Sequence, residues 1–311
     1  MRILVTGFRG MIGSALVPAL RAQGHRVTTL GRGPDADFQW DPGRNYLDPR
    51  AVDGVEAVIH LAGESLAPRW TAAQKKKIVA SRVEGTRLLA ETVAASPRPP
   101  RVFLMASAVG FYGDRGEETL TEDQGRGEGF LADLCADWEA AAQPAVHRGV
   151  HVVPLRMSII LSKNHGVLSE MIPTFRWGLG GVIGSGRQYV GWVSLRDVVR
   201  AFLHALSDER LEGPINVTSP SPARMAAWAV ALGRALGRPV WVRTPLAVLR
   251  ALFGEVVDGL LLTSQRVVPK KLEDAGFVFL DRHIAPALAE ALAEPLPARD
   301  VTPAPEAVEA Q

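Results

Sequence analysis

A chain of 311 residues, 47% hydrophobic and 22% charged, is composed like a globular enzyme and is long enough for one large domain or two unequal ones. A net charge of +2 from 35 basic and 33 acidic residues gives no reason to expect nucleic acid or an anionic membrane as partner. The single Cys135 excludes an internal disulfide and a thiolate metal cluster, and no apolar run reaches the roughly 18 residues of a membrane span, so a cytosolic monomer or homodimer acting on a small molecule, without a metal, is expected.

Residues 3–6 read as a buried strand that runs directly into Gly7-Phe8-Arg9-Gly10-Met11-Ile12-Gly13, and residues 11–21 read as a helix. A strand, a glycine turn and a helix form the context of a dinucleotide fingerprint, here spaced Gly-x-x-Gly-x-x-Gly. Gly7 permits the tight turn and Gly10 lets backbone approach a pyrophosphate. Gly13 lets the helix pack closely on the strand, with its N-terminus facing the phosphates. Residues 25–30 form a second strand that ends in Gly31-Arg32-Gly33. A site for NAD usually carries Asp or Glu there, to hold the ribose 2′-hydroxyl. A carboxylate would repel a 2′-phosphate, whereas the guanidinium of Arg32 pairs with one, and Arg9 adds a second cation at the same corner. The pattern favours NADP over NAD; the plainer reading is two solvated arginines.

Further along, residues 55–61 read as a strand ending in Ala62-Gly63-Glu64, and residues 70–95 as a long helix with Lys75 to Lys77 on a solvated face. Residues 102–106 read as a strand ending in Ser107, followed by a polar, Gly-rich loop over 110–128. A helix over 130–148 precedes a strand over 150–156. Residues 171–189 are Gly-dense and read as irregular. Helices are predicted over 195–206, 223–236, 245–253, 258–267 and 269–275, with a short strand at 215–217 and a Pro- and Ala-rich disordered tail over 294–311. This alternation predicts an α/β fold: a doubly wound parallel sheet over residues 1–160 and a smaller α-rich substrate part over 161–293. Ligands in such sheets sit beyond the strand ends, which places residues 7–13, 61–64 and 107–112 around one crevice.

These residues resemble the extended or atypical short-chain dehydrogenase/reductases, the group that includes nucleotide-sugar epimerases and dehydratases. Thr6 with the glycine turn is similar to its cofactor loop, His60-Leu61-Ala62-Gly63 to its motif beside the adenine ribose, and Gly85-Thr86 to its central-helix signature. Ser107 to Gly113 is similar to its catalytic strand end, and Gly184 to Gln188 with Trp192-Val193 to its substrate segment. The Ser81-Arg82, Trp138-Glu139 and Phe175 to Gly181 motifs are closer to the branch of largely uncharacterised epimerase family proteins. The segment from Leu261 to Leu272 is similar to that branch's own C-terminal family.

The resemblance implies acid/base chemistry by Tyr-x-x-x-Lys on the helix after the serine strand, with the Lys lowering the Tyr pKa. Aligned on Glu139, this chain has Leu131 for the Tyr and Cys135 for the Lys, and no Tyr-x-x-x-Lys anywhere. Arg82 stands where the group has Asn. Ser107 and Tyr112 are therefore the expected catalytic pair, Tyr112 supplying the lost phenol. Leu61, Ala62 and Gly63 join the glycine turn and Arg32 as cofactor residues. Glu64, Arg82, Arg156, Arg187 and Trp192 are the expected substrate residues. For each the structural alternative is an ion pair, a cap or a core contact. The resemblance implies either an NADP-dependent oxidoreductase or epimerase with a non-standard site, or a dinucleotide-binding sensor that has lost catalysis.

Overall fold

The computed structural model describes residues 1–241 and 243–293; the tail expected over 294–311 lies outside the described residues. Eight strands form the main sheet: β1 Arg2–Thr6, β2 Arg26–Gly31, β3 Phe38–Asp41, β4 Tyr46–Leu47, β5 Ala57–His60, β6 Val102–Ala108, β7 His151–Met157 and β8 Ile215–Val217. Their order is β8-β7-β6-β5-β1-β2-β3-β4, and every neighbour is parallel except the terminal β3/β4 pair. The central strands are apolar runs such as Ile3 to Val5 and Phe103 to Met105, because helices cover both faces. Strand order reverses between β1 and β5, so the ligand crevice of this doubly wound sheet opens beyond Thr6 and His60.

The α-helices among the described residues are α1 Met11–Ala22, α2 Ala72–Val79, α3 Gly85–Ala95, α4 Phe130–Ala140, α5 Gln143–His147, α6 Gly166–Arg176, α7 Leu195–Ser207, α8 Met225–Ala235, α9 Leu246–Phe253, α10 Lys270–Asp274 and α11 Ile284–Ala293. On α1, Ile12, Leu16, Val17 and Leu20 form one apolar face against the sheet. A π-helical turn, Ala80–Glu84, joins α2 to α3. The expected helix over 130–148 divides because Pro144 lacks the N–H that would continue the ladder. No described helix is long and apolar enough to cross a membrane.

Two cores organise the chain. The larger joins the sheet to Val198, Ala201 and Phe202 of α7 and to Leu272, Phe277 and Phe279. The smaller is built from Leu168, Ile172, Trp192, Trp228, Leu232 and Leu288. The soft boundary expected near residue 160 is crossed by α7, β8 and residues 272–279, which return to the first core. The segment expected as a helix over 258–267 is also different: Val257–Leu261 is a π turn, and Arg266–Val267 is a strand paired in parallel with Thr119–Leu120. The irregular stretch begins later than expected, since α6 runs to Arg176 with Leu168, Ile172 and Phe175 inward.

Candidate dinucleotide crevice

The turn after β1 is shaped by the absence of side chains. Gly7 has φ +65°, and a Cβ there would stand 2.6 Å from the Leu61 carbonyl carbon. A Cβ on Gly13 would stand 2.4 Å from the Gly7 carbonyl oxygen and 2.5 Å from the Phe8 Cα. Gly10 is exposed, and its N–H donates to the Gly7 carbonyl at 2.9 Å. No side chain caps α1 and no acid occupies its first turn, so its leading N–H groups remain open to an anion. The cradle fits a dinucleotide pyrophosphate on these grounds. At the outer corner Arg32 is exposed with no partner among the described residues, while Arg9 is ion-paired to Asp35.

Beneath the crevice lies a sealed polar relay centred on His60, a satisfied core histidine on β5. The Thr6 hydroxyl oxygen accepts the N–H groups of Leu61 and Ala62 at 3.1 and 3.2 Å. Its own proton therefore goes to His60 Nδ1 at 2.7 Å, which leaves Nε2–H to donate to Thr86 Oγ1 at 3.0 Å. Trp138 Nε1 donates to the same Thr86 oxygen at 2.9 Å. Burial, helped by the charge of Arg82, pulls the His60 pKa down to about 3, so the ring stays neutral. The relay ties the ends of β1 and β5 to α3 and α4, and so fixes Leu61 and Ala62 beside Gly7.

Leu131 and Cys135 of α4 face the end of β6: a Cβ on Gly110 would meet Leu131 Cβ at 3.1 Å and Cys135 Sγ at 3.8 Å. Burial pushes the Cys135 thiol up to about 12, so it is a neutral packing group. The expected catalytic pair needs correction. Ser107 is buried, and its hydroxyl donates to Glu139 Oε1 at 2.6 Å. Tyr112 is 0% exposed; its hydroxyl donates to Asn216 Oδ1 at 2.8 Å and accepts from Arg156 Nη1 at 3.1 Å. Burial raises its pKa from the ordinary phenol value. A phenol with both bonding directions used inside the core has no path to a substrate in the crevice. Arg156 is also withdrawn from the expected substrate set: it gives Nε and Nη2 to Glu139, both at 2.8 Å, and lies 3.5 Å over the Phe111 ring. Trp192 is another core residue, its Nε1 donating to the Ser221 carbonyl at 3.0 Å. Arg187 is exposed, and no contact among the described residues joins it to the crevice.

Glu64 and Arg82 do meet, though not as a carboxylate–guanidinium pair. Arg82 Nη1 donates to the Glu64 carbonyl at 2.8 Å, and the guanidinium lies 5.1 Å from the Trp138 ring centroid. A Cβ on Gly63 would stand 3.2 Å from the guanidinium carbon, so the cation borders the strand end expected to hold the cofactor. Burial lowers the Arg82 pKa to about 10.

The polar chain continues from Asn216 to Glu122, whose Oε1 accepts the N–H groups of Asn216 and Lys271 at 3.0 and 3.2 Å. Glu122 Oε2 is buried with no partner among the described residues. Burial raises this carboxyl above its ordinary value of 4.5. The folded state therefore binds the proton more tightly than the unfolded state. That contribution to stability is complete below the ordinary value and is lost as pH rises through the folded one. Glu122→Gln keeps the Oε1 acceptor and removes the buried charge. Its stability relative to the native protein is expected to rise as the pH is raised above 4.5 in urea unfolding. Parallel pH profiles of the two proteins would contradict the assignment.

Comparison with known proteins agrees with this geometry. Residues 3–218 match the NAD dependent epimerase/dehydratase family, and residues 244–291 match a domain of unknown function, DUF1731. An epimerase family protein of Mycobacterium leprae is 41% identical over 297 residues, 94% of this chain and 96% of that protein. The Homo sapiens epimerase family protein SDR39U1 is 35% identical over 300 residues, 94% and 100% of the two chains. The human protein's crystal structure, solved with NADPH, is similar to this chain with a TM-score of 0.84 at 33% identity, covering 94% of this chain and 100% of that one. A nucleoside-diphosphate sugar epimerase from Corynebacterium glutamicum is similar with a TM-score of 0.77 at 34% identity, over 94% of this chain and 58% of the other. On these matches the chain belongs to the NAD-dependent epimerase/dehydratase family, in its branch of epimerase family proteins with a C-terminal DUF1731 segment.

Proposed function

We propose that the protein binds NADP(H) and acts as an oxidoreductase on a small molecule, without a tyrosine acid/base. The observation that carries this reading is the cradle of Gly7, Gly10 and Gly13 against Leu61 and Ala62, at the uncapped N-terminus of α1. Gly7, Phe8, Arg9, Gly10, Met11, Ile12 and Gly13 would hold the pyrophosphate, with Leu61, Ala62 and Gly63 along the strand end. Arg32 would meet the 2′-phosphate. When bound, the nicotinamide supplies a hydride donor or acceptor. The residues around it supply little proton chemistry: Leu131 is apolar, the Cys135 thiol is neutral and buried, and Tyr112 is spent in the core. An epimerase must remove a hydroxyl proton before it returns the hydride, which needs a base poised near neutral pH. Reduction of an acceptor that takes its proton from water makes no such demand, and so fits these side chains better than epimerisation. The non-catalytic sensor reading is favoured by the same missing phenol. It would be supported if tight NADPH binding came with no turnover of carbonyl compounds, quinones or nucleotide sugars.

Calorimetric titration is expected to give NADPH a clearly smaller Kd than NADH. Arg32→Ala should remove most of that preference, about 1–3 kcal/mol for a lost charge-assisted hydrogen bond. Equal affinity for the two nucleotides in the native protein would exclude the 2′-phosphate contact.

A further inference from the structure

Arg82 occupies an unusual position. It lies in the π turn between α2 and α3, a local widening of the helix that recurs at functional sites. Only 8% of the residue is exposed. Its single hydrogen bond among the described residues goes to a neutral acceptor, the Glu64 carbonyl. The nearby carboxylate of Glu139 is already taken by Arg156 and Ser107. Cys135 on the facing helix is held as a neutral thiol. The remaining guanidinium N–H groups are unpaired, yet none is among the fully sealed polar atoms, so they open onto accessible space beside Gly63. A buried cation is ordinarily paired with an anion. This one has a carbonyl, an indole face, the Glu64 carboxylate only at longer range, and an opening.

The resemblance adds a contrast. Where the group places a lysine this chain has Cys135, and where the group places an asparagine it has Arg82. The positive charge is retained but moved to the other wall, with no phenol beside it to activate. We propose that Arg82 anchors an anionic group, a carboxylate or a phosphate, on the molecule that enters the crevice next to Gly63. The inference rests on the function proposed above only for placing that molecule beside the nicotinamide. The Trp138 ring and the buried Cys135 on the facing helix give the anchor an apolar side, so the ligand would carry an apolar body behind its charge. A guanidinium fork suits a two-oxygen face of either anion.

Benzoate, phenyl phosphate and benzamide share one ring and differ in charge. Their binding is measured by calorimetry on the full chain, with and without NADPH. The native protein is expected to bind at least one of the two anions roughly tenfold more tightly than benzamide. Arg82→Gln should erase that preference while leaving the Kd for NADPH unchanged. Equal affinity for all three probes in the native protein overturns the proposal, as does a preference that survives in Arg82→Gln. A loss of NADPH affinity in that variant as large as the loss for the anions also overturns it, since the arginine would then serve the cofactor's pyrophosphate. Should Arg82→Gln not fold, Arg82→Lys carries the test. A single ammonium in place of the fork should weaken the anions severalfold and leave benzamide unaffected, and unchanged anion affinity refutes the anchor. Anion preference through Arg82 in a native protein that fails to bind NADPH would end the cofactor reading and leave this one standing.

Discussion

Replacing Glu139 by alanine is expected to cost the folded protein about 3–5 kcal/mol, the largest loss of any single substitution considered, because it strands a charge in the core. The Arg156 and Glu139 side chains are 4% and 13% exposed, so water can replace little of what is lost. Glu139 accepts from Arg156 Nε, from Arg156 Nη2 and from Ser107, and the alanine leaves all three donors unpaired. Removing both charges is a different experiment. Glu139→Leu combined with Arg156→Met should recover much of the loss, since a buried ion pair often contributes little net stability over an apolar pair of similar volume. Urea unfolding with an unchanged slope would measure both variants. A cost below about 1 kcal/mol for Glu139→Ala would mean that Arg156 finds another partner.

Gly13→Ala is expected to have the largest effect on the cofactor. The added methyl would stand 2.4 Å from the Gly7 carbonyl and 2.5 Å from the Phe8 Cα, and both are backbone that cannot turn aside. Either α1 moves away from β1 or the turn opens, and overpacking of this kind costs about 1–3 kcal/mol. In both cases the leading N–H groups of α1 leave their position, so NADPH affinity should fall by roughly tenfold or more. Gly10→Ala separates the two effects: its methyl meets only the Gly7 carbonyl, at 3.2 Å. It should leave the melting temperature nearly unchanged and still weaken NADPH, by standing where the pyrophosphate approaches. Native-like NADPH affinity in Gly13→Ala would refute the assigned cradle.

The glycine turn and its flanking strand and helix were legible because their determinants are local. A strand, three glycines and a helix lie within residues 3–22, and each glycine's role depends on neighbours a few positions away or on the adjacent strand. The missing Tyr-x-x-x-Lys was legible for the same reason. Tyr112 was misread because a tyrosine in a Gly-flanked loop looks exposed from its surroundings in sequence. Its burial depends on Asn216, 104 positions later, and on Arg156 from a different strand. Arg156 was misread in the mirror-image way, as a charge at a strand end, when its partner Glu139 projects from a helix laid over that strand. Glu139 had been marked only as an alignment anchor beside Trp138. The outer strands at 38–41 and 46–47 went unseen because they are only 4 and 2 residues long, too short to show an alternation. Arg266–Val267 went unseen because two residues carry no periodicity, and their partner strand lies in a loop.

The return of the C-terminal segment has a consequence for how the protein is made. Gln265 Nε2 bonds the carbonyls of Val109 and Gly113 at 3.1 and 3.0 Å, Ser264 Oγ bonds that of Gly116 at 2.6 Å, and Val268 N–H bonds that of Leu120 at 2.9 Å. These contacts span 148 to 156 positions for the side-chain bonds. On the ribosome the first strands and α1 can pair early, but the loop after β6 lacks its Ser264, Gln265 and Val268 partners until most of the chain has emerged. The wall of the crevice beyond β6 is therefore among the last parts to set, and loop closure over such distances is slow. During that interval Tyr112, fully buried at the end, waits for its partner Asn216. Synthesis passes through a stage in which the glycine turn after β1 can be in place while the wall beyond β6 is not.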